Sequence, residues 1–163
     1  MHSYIDSILS IYYHVRMKHK EITEIILEVF NLNGLLIDRG NTLVKDLGLT
    51  SARWQVLGAI HQSEYPPTVS DIARTMGLTR QSVQRIVNEL VQEDILEFKH
   101  NAQDKRANLV TLKSTGKTIY QKAMERQKPW SEALVSDINQ NDLKITLSVL
   151  KALHVKLEKE EGH

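Results

Sequence analysis

Between Thr79 and Asn88 the chain reads TRQSVQRIVN. Arg80, Gln81, Gln84, Arg85 and Asn88 carry long or forked hydrogen-bonding side chains, and Ser82 adds a hydroxyl. These types match the edges of bases in a duplex. Arg forks onto guanine O6 and N7, and Gln or Asn does the same on adenine N6 and N7. Thr79 heads the segment as a capping residue, and the open N–H groups of a first helical turn favour a phosphate. A second cluster, Asp104, Lys105 and Arg106, lies in the polar run NAQDKR. Lys105 and Arg106 suit a minor groove or a backbone. Asp104, two residues before Arg106, is placed to hold its guanidinium in one direction.

Other chemistries find less support. There is no cysteine, which removes disulfides, thiolate metal sites and thiol nucleophiles. The seven histidines are scattered, and His14 and His19 miss the i, i+4 spacing that would align two metal ligands on a helix. No nucleophile, base and orienting group fall together. STGKT (Ser114–Thr118) resembles the end of a phosphate-binding loop, but Thr111 stands where that loop needs its first glycine. The expectation is a non-enzyme without metal or cofactor.

The elements that must position the two clusters follow from periodicity. Val83, Ile86, Val87 and Leu90 fall at i, i+3, i+4 and i+7, so the helix from Thr79 to about Glu93 has a core face, with the polar residues opposite. Before it, SDIARTMG reads as a short helix with Ser70 as its cap, burying Ile72, Ala73 and Met76. Gly77 is suited to the left-handed conformation that ends it. Arg74 lies on this helix. A short helix, a tight turn and a second helix make a helix-turn-helix, whose second helix enters a major groove. After Asp94 the period shortens to two. Leu96, Phe98 and His100 alternate with polar residues, and a return run carries Val110 and Leu112, which predicts a β-hairpin with NAQDKR at its tip. A hairpin in that place makes a winged helix.

The remainder reads as helix. Tyr4 to Lys20 is one helix, and Glu21 to Val44 a second or its continuation. GLTSARWQVLGAI is a helix capped by Thr50 or Ser51. Helix resumes at Ser114, is kinked or interrupted at Pro129, and begins again at Asn139 with Leu143, Leu147, Leu150, Leu153 and Leu157 on one stripe. The fold class is therefore mostly α with a small β-hairpin wing. A single domain over residues 1–163 is expected, with a winged helix-turn-helix at 50–113 between helical regions at 1–45 and 114–163. Composition agrees: 163 residues with 41% hydrophobic suit one folded domain. The net charge is only +1, so a nucleic-acid binder of this balance must gather its positive charge on one surface. No apolar run reaches membrane-spanning length, and the N-terminal MHSYIDSILSIYYH lacks the basic start of a signal peptide. The default location is the cytoplasm.

With these segments in view, the chain resembles the MarR family of winged-helix transcription regulators. The resemblance spans roughly Leu32 to the C-terminus. It is carried by GLTSARWQVLGAI, VSDIARTMGLTRQSVQRIVNELVQEDIL and DKRANLVTLKSTG. It implies a regulator, most often a repressor, binding a pseudo-palindromic double-stranded DNA site. Thr79, Arg80, Gln81, Ser82, Gln84 and Arg85 would lie at the major groove, Arg74 near the backbone, and Arg106, oriented by Asp104, in the minor groove. It implies a homodimer built by terminal helices. Both ends of this chain carry unspent apolar stripes, although packing of the two ends within one chain would also use them. It also implies a small aromatic or anionic effector in a cleft beside the dimer helices. Tyr12, Tyr13, Trp54 and His61 are candidates to line it, although Trp54 reads as core before it reads as cleft. Residues 1–20 extend beyond the family's usual first helix. Asp94 stands where the family often has Gly, and Lys113 where it commonly has a capping Thr, which leaves Ser114 as the expected cap. A winged-helix module that binds protein instead of DNA is the rival reading.

Overall fold

A computed structural model describes the backbone of residues 2–160 and the side chains of residues 19–159. Tyr12 and Tyr13 fall in the part whose side chains lie outside the described residues. The two helices expected at the N-terminus are one, α1, running from His2 to Val44. No proline interrupts it, and its glycines do not break it. Gly40 sits where the next helix crosses closely, since a Cβ there would come within 2.8 Å of Ser51 Oγ. A 3-10 turn, Lys45–Leu47, and Gly48 at φ 71° turn the chain.

The helix α2 (Ser51–Gln62) follows, and α3 (Val69–Met76) and α4 (Arg80–Gln92) after it. Thr50 caps α2, its side chain accepting from the Arg53 N–H. The next cap differs from expectation. Thr68, not Ser70, begins α3: its hydroxyl accepts from the Asp71 N–H at 3.2 Å, and the Asp71 carboxylate accepts from the Thr68 N–H at 3.0 Å. This reciprocal capping box satisfies two open donors at once, which Ser70, two residues into the helix, would not match. Gly77 at φ 62° closes α3 through N–H bonds to Ala73 and Arg74.

The strands β1 (Leu96–Lys99) and β2 (Leu109–Leu112) pair antiparallel, with Leu96 opposite Leu112 and Phe98 opposite Val110. The sheet extends one step further than the hairpin. The Val110 N–H donates to the Pro67 carbonyl at 2.8 Å, and Thr68 bridges Leu109. The core lies where these pieces meet. Val56 and Leu57 of α2, Ile72 of α3, Val83, Val87 and Leu90 of α4, and Leu96 and Val110 of the hairpin are at most 1% exposed.

The chain divides into two compact units, Met1–Ala123 and Met124–His163. α5 (Ser114–Leu134) passes from one into the other. Pro129 neither interrupts nor ends α5; it is exposed, and it costs the helix one backbone donor in place. Ser114 does not cap α5. It is the first helical residue, and Lys113 takes the cap position, its carbonyl accepting from the Lys117 N–H at 2.9 Å. In the second unit Asn139 begins α6 (Gln140–Glu160), its side chain accepting from the Asn141 N–H. Leu143, Leu147, Leu150 and Leu157 of α6 are all exposed. So, in the first unit, are Ile25, Ile26, Val29, Leu32 and Leu36 of α1.

Gly116 holds the first turn of α5 against the start of β1. A Cβ there would lie 2.3 Å from the Ile95 carbonyl oxygen. That oxygen is fixed because it accepts from the Lys113 N–H. We expect Gly116→Ala to destabilise the fold by about 1–3 kcal/mol, the range of overpacked cores, measured by urea unfolding. An unchanged midpoint would show that α5 slides freely here.

Candidate nucleic-acid interface

α4 is set by its two ends. Thr79 caps it, the hydroxyl accepting from the Ser82 N–H and lying 2.8 Å from Ser82 Oγ. Two of the residues expected at the interface are thus engaged with each other at the helix start. At the other end Glu93 receives Arg53 of α2, whose Nη1 also donates to the Gly48 carbonyl at 3.1 Å. Arg53 Nε is buried without a hydrogen-bond partner, so the guanidinium is held there at a cost. The next residue, Asp94, adopts φ 61° and pairs with Lys113 at the end of β2. Asp94 and Lys113, which both depart from the family pattern, therefore meet as partners. The pairing raises the Lys113 ammonium above its ordinary value.

Between these ends the outer face of α4 presents two rows. Arg80, Gln84 and Asn88 form one, and Gln81, Arg85, Glu89 and Gln92 the other; together they line one open shelf. Arg80 and Arg85 have no ion pair among the described residues, so their charge is uncommitted. Gln84 is half-buried and donates through Nε2 to Asn88 Oδ1 at 2.9 Å. Arg74 projects from α3 and pairs with Asp71 at 2.5 Å.

The wing faces the first of those rows. A groove of about 270 Å³ is lined by Arg80, Gln84 and Asn88 of α4 and by Phe98, Arg106 and Asn108 of the wing, together with Thr68 and Ser70. The tip is shaped by Asn101, whose Oδ1 accepts from the Gln103 and Asp104 N–H groups. Asp104 Oδ1 then accepts from both the backbone N–H of Arg106, at 3.0 Å, and its Nε, at 3.1 Å. These bonds, backbone first, hold the Asp104 carboxyl below its ordinary value. The Arg106 side chain remains 90% exposed, so it is aimed without being buried. Lys105 is exposed beside it.

Glu89, Gln92, Ser70, Phe98 and Asn108 are members of this surface that the sequence reading did not name. Glu89 and Gln92 lie four and seven residues beyond Arg85, so the helical wheel contained them. Phe98 and Asn108 join only through the hairpin register. Of the four residues expected at an effector cleft, only Trp54 and His61 have described side chains. Tyr12 and Tyr13 lie outside the described side chains, and Trp54 is half-buried facing Gly40 of α1. His61 stacks on Tyr120 with ring centroids 4.6 Å apart. It lines a separate hollow of about 310 Å³ with Tyr65, Lys99, Thr111 and Lys117. Among the described residues no cluster of acidic and imidazole groups could hold a metal ion, and no helix is long and apolar enough to cross a membrane.

The MarR family model matches residues 47–107, which contain α2, α3, α4, β1 and the wing tip. An uncharacterised protein of Mycobacterium tuberculosis, Rv2011c, is 34% identical over 140 residues, covering 86% of this chain and 96% of that one. The chain belongs to the MarR family. The fold agrees. A MarR/EmrR family regulator from Acinetobacter sp. ADP1 superposes with a TM-score of 0.74 at 20% identity, over 81% of this chain and 93% of that one. Staphylococcus aureus MepR, solved as a DNA complex, superposes with a TM-score of 0.69 at 17% identity, over 79% and 94%. The MarR family and its fold are those of transcriptional regulators. In this MarR-family chain the winged helix is built on α2–α4 and the β1–β2 hairpin, as expected.

The scaffold under α4 has a pH signature. Hydrogen bonds from Thr68, hydroxyl first and backbone N–H second, hold Asp71 below its ordinary 3.8 against a small opposing effect of burial. A carboxyl whose pKa falls on folding stabilises the protein fully above its unfolded value and loses that contribution as pH drops through the folded one. We therefore expect the wild type to lose stability below pH 3.8 more steeply than Asp71→Asn, followed by thermal melts across an acid series. Parallel curves would mean that the carboxylate's charge contributes nothing to the cap.

Proposed function

We propose that this MarR-family protein is a homodimeric, sequence-specific binder of duplex DNA that acts as a repressor in the cytoplasm by occupying a promoter. α4 enters the major groove, and the wing, residues 97–112, lies along the neighbouring minor groove. The observation that carries this reading is the uncommitted guanidinium of Arg80 on α4 facing that of Arg106, aimed from the wing across a shared groove, with a further uncommitted guanidinium, Arg85, on the neighbouring row of α4. A solvated helix face would not need a wing arginine whose backbone N–H and Nε both donate to the Asp104 carboxylate. The DNA complex of MepR, a protein of the same fold, supports the same use here.

Base selection falls to Gln81, Gln84 and Arg85, with Thr79 and Ser82 closing the first turn against a phosphate. Arg74, Lys105 and Arg106 supply backbone or minor-groove contacts. The exposed apolar stripes on α1 and on α6 are the surfaces a second copy would cover, so the regions 1–45 and 114–163 serve dimerisation. Two recognition helices then address half-sites of a pseudo-palindrome about one helical turn (~34–36 Å) apart. The hollow beside His61, with Lys99, Lys117 and Tyr65, is where a small aromatic or anionic effector would bind in the first unit.

Four measurements test this. Selection from a random duplex pool should enrich a two-fold symmetric motif. With that motif, Arg85→Ala should weaken binding by about 1–3 kcal/mol and relax one base preference. Arg106→Ala should weaken binding to most sequences alike and flatten the salt dependence by about one counterion. An Arg106→Ala loss confined to one base pair would count against a minor-groove or backbone role. Sedimentation should give a dimer. A pool that enriches nothing, together with capture of a protein by this face, would support the protein-interaction module instead.

A further inference from the structure

We propose that Asn88 is a positioning residue that sets Gln84 to read adenine and to reject guanine. This rests on the DNA-binding reading above and adds to it the identity of one base.

A glutamine amide has two N–H donors and one carbonyl acceptor. Left free, it suits adenine, whose major-groove edge offers the N7 acceptor and the N6 donor. It also suits guanine, whose N7 and O6 are both acceptors, by turning both N–H groups towards them. Gln84 is not free. Its Nε2 donates to Asn88 Oδ1 at 2.9 Å, and Gln84 is half-buried against the groove while Asn88 is exposed. The i, i+4 spacing puts the two amides on the same face, so the bond is local and survives small shifts of the helix.

That bond commits one of the two N–H groups. What Gln84 can still offer is one donor and one acceptor. This pair complements adenine, and it cannot give guanine two donors. With Asn88 Oδ1 accepting from Gln84, the Asn88 N–H groups are left uncommitted on an exposed side chain, where phosphate oxygens would accept them. The row is completed one turn earlier by Arg80, whose forked donors suit guanine or a phosphate at the adjoining position. The shared groove keeps this row next to Arg106 and Asn108 of the wing, so Gln84 is read from a fixed distance.

The test is base-frequency profiling after selection from a random duplex pool, done with the wild type and three variants of the full chain. The wild type should place adenine over guanine at one position in each half-site. Gln84→Ala should erase the preference at that same position. Asn88→Ala should weaken binding to all sequences alike, through loss of its own phosphate contact, and in the binding that remains should reduce the adenine-over-guanine ratio there by roughly an order of magnitude, within the range one good base contact supports. Asn88→Asp keeps an acceptor for Gln84 and should restore the ratio, although added negative charge near phosphates lowers overall affinity, most at low salt. Thermal melts of each variant separate these effects from unfolding, and Asn88, being exposed, should melt as the wild type does. An unchanged ratio in Asn88→Ala, or guanine at the Gln84 position in the wild type, would overturn the proposal while leaving DNA binding intact. A wild type that enriches no sequence would overturn DNA binding itself, and this inference with it.

Discussion

Val83, Val87 and Leu90 are completely shut off from water on the inner side of α4. Every other property of that helix depends on this. Each such side chain contributes about 1.5–3 kcal/mol by burial, so one stripe is enough to seat the helix. The outer face then owes nothing to stability. It can be given over to arginine, glutamine and asparagine, types that a marginal helix could not carry at so many positions without losing its place. The turn before it serves the same end. Gly77 supplies the left-handed residue, and Thr79 satisfies the open N–H of Ser82, so the polar face begins at a fixed angle.

The end of α4 is governed by charge rather than by burial. Arg53 reaches it from α2 while also holding the Gly48 carbonyl, and Lys113 reaches it from the wing through Asp94. The first of these is the more sheltered: the Arg53 side chain is 15% exposed and the Glu93 side chain 48%, so salt screens the pair in part. The second is more open and worth correspondingly less. Together they tie the helix to the turn after α1 on one side and to the wing on the other. Asp94 is a non-glycine residue in a left-handed conformation, which carries a steric penalty. Its carboxylate offsets part of that penalty by holding Lys113, a role no glycine could perform.

Much of this was legible in the sequence. The apolar spacing of α4, Gly77, the Thr79 cap and the alternation in both strands each follow from a local rule, and those segments lie where the rules put them. Misplaced features were those decided by more than one rule. Ser70 and Thr68 are both capping types two residues apart; Asp71, able to return the bond only to Thr68, decided between them. Pro129 reads as a break, but a single missing donor at an exposed position did not end α5. The residues of the interface were legible as far as helical spacing reaches. Phe98 and Asn108 were not, because only the strand register carries them to the groove. The effector residues were inferred from resemblance alone, with no local rule in the sequence behind them.

Thr68 ends up with two employments. It begins α3, and it bridges Leu109 at the base of the wing. The scaffold helix and the wing therefore share one residue's backbone, with Pro67 beside it accepting from Val110. Fraying of either piece would strip a partner from the other. Local opening of this region is then a joint event, with the wing and the α3 terminus losing protection against amide exchange as a single cooperative unit.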